Sequence, residues 1–113
     1  MTKFIYTDSK NSAIHWQECE KMRAPFIKIG RIDKEYASIF YDVTNYSMDI
    51  EAVSNDIKRL YLSYVEFFMC SHPQIEELEH QHYFLNLIVK TEHAECFAEQ
   101  LYDYLVAKMA SHQ

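Results

Sequence analysis

Asp49 to Met69 carries the longest helical pattern in the chain: Ile50, Val53, Ile57, Leu60, Tyr64 and Phe68 recur at steps of three and four, so they share one face. Glu51, Ser54, Asn55, Lys58, Arg59 and Glu66 fall mainly on the opposite face. Ser47 or Asp49 can cap the start by accepting from unpaired backbone N–H groups, and His72-Pro73 closes the helix. A second strong helix is predicted from Thr91 to Ala110, with Cys96, Phe97, Leu101, Tyr104, Leu105 and Lys108 in phase, Thr91 as its cap and Glu92 and Glu95 near its positive end. A shorter helix, from about Ala13 to Arg23, has Ile14, Trp16, Cys19 and Met22 as its apolar set, His15 at a polar position, and ends at Ala24-Pro25.

The strands follow from β-branched and aromatic runs. Lys3 to Thr7 reads as a short strand, and Tyr83 to Val89 as a buried one, apolar on both faces except for Asn86. Phe26 to Tyr46 has helical spacing but strand composition, being rich in Ile and aromatics and free of Leu and Met. Gly30 would also weaken a helix by about 1 kcal/mol. The composition selects two strands, Phe26 to Ile32 and Tyr36 to Thr44, turning at 33–35 without the Asn-Gly or Asp-Gly of the commonest hairpins. In the polar stretch SHPQIEELEHQH, Pro73 is expected to open one or two helical turns.

The order β-α-β-β-α-β matches the split βαβ, ferredoxin-like arrangement of a four-stranded antiparallel sheet with two helices on one face, to which a C-terminal helix is added. The match is one of topology only. The alternative is an all-α five-helix bundle, with 26–46 and 74–90 as helices, which the single glycine permits. The 113 residues form one domain, without repeat, low-complexity tract or linker.

Composition narrows the function classes more than it selects one. No apolar run approaches the ~20 residues of a membrane span, and the first ten residues lack a secretory apolar core, which points to the cytoplasm. Cys19, Cys70 and Cys96 are odd in number and contain no CxxC pair, so they read as reduced, buried thiols. Net charge is −6, distributed as +2 over residues 1–35 and −8 over residues 36–113. Nucleic acid is a poor partner for that balance, and the sparse basic face of the central helix disfavours membrane binding. A basic protein partner suits it.

Candidate chemistry is thin. The single glycine excludes Gly-rich phosphate loops and dinucleotide fingerprints, no GxSxG elbow occurs, and no cofactor is implied. His93 stands three residues before Cys96, but the helical pattern places that thiol on the apolar face, where burial makes it inert. Glu77 and His80 have ExxH spacing, as do Glu79 and His82; if 80–82 begins a strand, His80 and His82 share one face and Glu77 completes a candidate metal site. A solvated polar connection is the plainer reading.

The central helix is broader in apolar character than one small sheet needs. Leu62 and Met69 lie with Glu66 away from its main face, and Tyr61 and Val65 widen that face. These five residues are the candidate interaction surface, with a homodimer as the first expected partner. The function expected is non-catalytic protein–protein interaction. Small inhibitor, immunity or antitoxin-type proteins share this physical profile of compact, acidic, aromatic-rich domains. Two alternatives stand beside it, a homodimeric small-molecule binding or sensing domain and a metal-binding protein or enzyme using His80 and His82.

Overall fold

The computed structural model describes residues 3–8, 10–42, 49–69, 72–79 and 83–111. Five strands, β1 (Ile5–Tyr6), β2 (Phe26–Arg31), β3 (Tyr36–Asp42), β4 (Ile75–Glu79) and β5 (Tyr83–Lys90), form one mixed sheet in the order β1-β2-β3-β5-β4. The helices are α1 (Ser12–Met22), α2 (Ile50–Tyr64) and α3 (Ala94–Ser111). A π-helical turn, Val65–Met69, extends α2, and a 3₁₀ turn, Thr91–His93, leads into α3. No helix among the described residues is long and apolar enough to cross a membrane.

The β2–β3 hairpin forms where composition placed it, in antiparallel register from Phe26↔Asp42 to Arg31↔Ala37. Its turn closes without an Asn-Gly pair because Asp33 substitutes side chain for backbone. One carboxylate oxygen accepts from the N–H groups of Glu35 (2.7 Å) and Tyr36 (2.8 Å), and the Ile32 and Asp33 N–H groups both reach the Tyr36 carbonyl. β5 pairs antiparallel with β3, burying Leu87 and Val89 against the helices.

Two expectations are corrected. The sheet is not ferredoxin-like and not wholly antiparallel: β1 lies at an edge, parallel to β2, and β5 separates β3 from β4. Nor do the helices share one face. Ile27 and Ile29 belong to the core under α2 and α3, whereas Phe26 meets His15 and Trp16 of α1, and neighbouring strand residues point to opposite faces. The five-helix alternative falls with the same observation, since 26–42 and 75–90 hold paired strands.

The second correction concerns Ile75–Glu79, expected to be helical and found as an edge strand paired with β5 from Ile75↔Leu87 to Glu79↔Tyr83. Charged residues at an edge are a common protection against unwanted pairing, which is why IEELE lacks the apolar alternation of a central strand.

α2 starts as expected, with Asp49 accepting from the Ala52 N–H at 3.2 Å. α1 ends in a left-handed Arg23, where the Ala24 N–H reaches the Cys19 carbonyl at 2.8 Å in a Schellman-type closure. Its buried face is only partly the one expected, since Cys19 belongs to it but His15 stands where Ile14 and Met22 were expected. His15 and Cys19 are buried, while Ile14 and Met22 are 56% and 65% exposed. The His15 ring rests beside Phe26, with a centroid separation of 5.7 Å. Ser54, read as polar-face, is likewise buried in α2. Thr91 is not a side-chain cap: its N–H donates to the Glu35 carbonyl at 2.8 Å and its hydroxyl has no hydrogen-bond partner among the described residues.

Burial of His15 has a pH consequence. Desolvation holds its imidazole below the ordinary value of 6.5, outweighing the opposing field of Glu18. The unfolded chain therefore binds the proton first on acidification, and the stability that neutral His15 supplies is lost as pH falls from about 6.5 through the lower folded value. Chemical denaturation between pH 7.5 and 5 should show this decline, and His15→Gln should flatten it. An unchanged slope in that variant would assign the acid sensitivity to other groups.

Candidate apolar groove between α2 and α3

The end of α2 and the start of α3 enclose an open groove with a cavity volume of about 220 Å³. Tyr64 and Phe97 are its buried floor, and Leu60, Ser63, Phe67, Phe68, His93, Cys96 and Gln100 are its walls and lip. The rings form one cluster: Tyr64 lies 5.3 Å from both Phe68 and Phe97, and Phe68 lies 4.9 Å from His93.

The π-helical turn shapes this lip. In an uninterrupted α-helix Phe68, four residues after Tyr64, would lie on the core face. A π turn bonds i to i+5 and advances less per residue, so Phe68 lags toward α3 and meets His93. Phe67 lags with it and is left 78% exposed, while Phe68 is 54% exposed. Both belong to the core side or its margin by α-helical periodicity; an exposed lip could be read from the sequence only by foreseeing the π turn.

His93 is held in place by the floor. The Tyr64 hydroxyl accepts the Lys90 N–H at 3.1 Å and shares a hydrogen bond with His93 Nδ1 at 2.8 Å. That nitrogen is therefore occupied and does not serve as a base toward Cys96. The thiol itself is exposed, not buried as its apolar-face position implied, and its sulfur lies 3.9 Å from Gln100 Nε2. Cys19 is the buried, inert one: desolvation pushes it up to about 11, and its thiol donates to the Pro25 carbonyl at 3.5 Å. Cys70 lies outside the described residues.

The five residues of the expected interaction surface separate. Tyr61 and Val65 are buried in the core, so neither offers surface to a partner. Tyr61 instead donates to the Ile88 carbonyl at 2.5 Å and accepts the Gln74 N–H at 3.1 Å. Leu62 and Glu66 are exposed and Met69 is half-buried. Leu62 lies on the flank of α2 away from the groove, and the largest exposed apolar groups nearby are Phe68, which the spacing placed on the main apolar face, and Phe67, which it did not single out.

Of the candidate metal residues, only Glu77 falls among the described residues. Glu77 stands in β4 opposite Leu85, and His80 and His82 lie outside the described residues. Among the described residues no three His, Cys, Asp or Glu side chains converge as a metal site.

A second cleft, polar where the groove is apolar, runs along the β1 edge with a volume of about 400 Å³, lined by Tyr6, Thr7, Asp8, Ile29 and Arg31. A neighbouring hollow, sharing Tyr6, Ile29 and Arg31, reaches Thr91, Glu92 and Glu95 at the start of α3. The Tyr6 hydroxyl donates to Glu95, and that bond, ahead of burial, raises the phenol above its ordinary range. The charged groups here, Arg31 against Asp8, Glu92 and Glu95, leave the cleft and the hollow with a local excess of negative charge.

Compared with protein-family models, with curated proteins and with solved structures, the chain gives no significant match in any of the three.

Proposed function

We propose that the protein acts by non-catalytic protein–protein interaction, with the α2–α3 groove as its anchoring site. The observation that carries this reading is the adjacent pair Phe67 and Phe68, 78% and 54% exposed at the lip of a groove whose floor is aromatic. Leaving such groups in water forgoes roughly 25 cal/mol per Å² of apolar area, and contiguous apolar patches of this kind mark interaction sites in soluble proteins. A volume of about 220 Å³ is below the ~300–1,000 Å³ typical of small-molecule pockets, and suits an inserted side chain better than a bound metabolite.

Among the described residues, the groove walls contain no Asp, Glu, Lys or Arg, in keeping with the charge-depleted centre of protein interfaces. Exposed Glu66 and Glu92, the sequence neighbours of Phe67 and His93, stand outside it. With a net charge of −6, they make a basic protein the favoured heterologous partner, as in an inhibitor- or immunity-like binding protein.

A photo-crosslinking amino acid in place of Phe67, introduced in the native cell as Phe67→p-benzoylphenylalanine, tests the reading. Discrete adducts to a protein chain are expected. Absence of any protein adduct, with the variant folded, would overturn it.

A further inference from the structure

We infer that the occupant of the α2–α3 groove is a second copy of this chain, docked about a two-fold axis so that Phe67 of each copy fills the groove of the other. The inference rests on the interaction reading above and names its partner. Closed dimers are built by a patch that is complementary to itself, so the same surface must carry both a projection and a recess. This surface does: Phe67 projects at the lip, and the recess of about 220 Å³ lies directly beside it. Near a two-fold axis every group also faces its own image, and a charge there repels itself. The groove walls carry none, although a quarter of the chain is charged.

One charged cluster on the adjoining helices is satisfied within the chain. Asp56 accepts from the Tyr104 hydroxyl at 2.6 Å and lies near Arg59 and Lys108, at 3.5 and 3.6 Å, among the described residues. A basic partner would engage the outlying Glu66 and Glu92 instead, an attraction that salt weakens.

Area sets the strength. Taking ~200 Å² for a Phe side chain, Phe67 and Phe68 expose about 260 Å² between them, roughly a third of the ~800 Å² per partner in a standard interface. The rest must come from the flanking helix surfaces, so the dimer is expected to be reversible, with a Kd on the order of micromolar to tens of micromolar.

Sedimentation equilibrium on the full chain, from about 1 to 500 μM, reads the assembly directly. A monomer–dimer equilibrium is expected, tightening or holding as salt is raised from 0.05 to 0.5 M, because two copies of net charge −6 repel. Phe67→Glu should weaken it by 100-fold or more. Gln100→Glu, at the exposed wall, should weaken it at least 10-fold without touching the core. Alkylation of Cys96 in a background of Cys70→Ala should slow with protein concentration, and lose that dependence in Phe67→Glu.

A monomer throughout the range would overturn the inference, and so would a dimer indifferent to both variants. Protein adducts at position 67 that belong to a different chain, with association weakened by salt, would overturn it in favour of a basic partner while leaving the interaction reading intact. Absence of any protein adduct would remove both.

Discussion

Tyr61→Ala is expected to lower the unfolding free energy by about 3–5 kcal/mol, the range for truncating a large buried aromatic residue. Tyr61 has no exposed area, and its ring lies 6.5 Å from Tyr64 in a stacked pair and 6.1 Å from Phe97 edge to face. Its hydroxyl joins three elements: it lies on α2, donates to the Ile88 carbonyl of β5 and accepts the Gln74 N–H just before β4. Gln74 in turn accepts the Ile88 N–H at 3.2 Å. Tyr61→Phe keeps the ring and strands both backbone partners, at a cost of about 1–3 kcal/mol. Urea denaturation measures both variants, with an unchanged slope confirming that only the native state is affected. A phenylalanine variant as stable as the parent would show that the two backbone groups find water or each other.

The same residue shows where sequence reading reached and where it stopped. Periodicity identified the helix from Asp49 and its aromatic richness, because those properties are local. It could not assign Tyr61 to the core instead of an interface, since that depends on β5 and the Gln74 segment lying above the helix, contacts 27 and 13 residues away. The β2–β3 hairpin was legible because its four aromatic and several β-branched residues favour a pleated surface. Its turn was not, because Asp33 acts through side-chain geometry that no dipeptide pattern encodes. Strand order was beyond reach for a related reason: β1 and β4 are short edge strands, and each is specified by its neighbour's open hydrogen-bonding groups more than by its own residues.

The groove was legible in part. An apolar arc wider than one small sheet requires was visible in α2, and the structure leaves apolar surface exposed on that helix at Leu62 and on the turn that follows at Phe67 and Phe68. The arc's centre was misplaced by the π turn, which changes the angular advance after Tyr64, and by α3, whose Cys96 and Gln100 form the opposite wall. His15 carries the complementary lesson. A histidine grouped with Glu18 and Lys21 at the polar positions of its helix was read as surface, yet the i, i+4 pair His15–Cys19 is what α1 buries, the imidazole Nε2 lying 3.5 Å from the thiol.

Gly30→Val is expected to destabilise the protein by about 1–3 kcal/mol, despite valine's preference for strands. Gly30 sits in β2 directly opposite Ser38, with β1 ending at its flank. A Cβ at this position would stand 2.7 Å from Ser38 Oγ and 3.3 Å from Thr7 Oγ1, closer than van der Waals contact allows. The Ser38 hydroxyl donates to the Gly30 carbonyl at 3.4 Å and can rotate away, so Gly30→Ala meets two small opposing effects: loss of that bond, and a gain of about 0.4–1 kcal/mol from reduced freedom of the unfolded chain. The γ-methyls of valine have no such escape, because Thr7 closes the other side and the Thr7 N–H is bonded to the Ile29 carbonyl at 3.0 Å. A double-mutant cycle locates the strain. In a Ser38→Ala background the nearest obstructing atom is gone, and the cost of Gly30→Val should fall by about 1 kcal/mol, a coupling typical of residues in contact. Strict additivity would instead place the strain on Thr7, so that Thr7→Ala would relieve it, and would identify the attachment of β1 as the reason the chain keeps its one glycine in the middle of a strand.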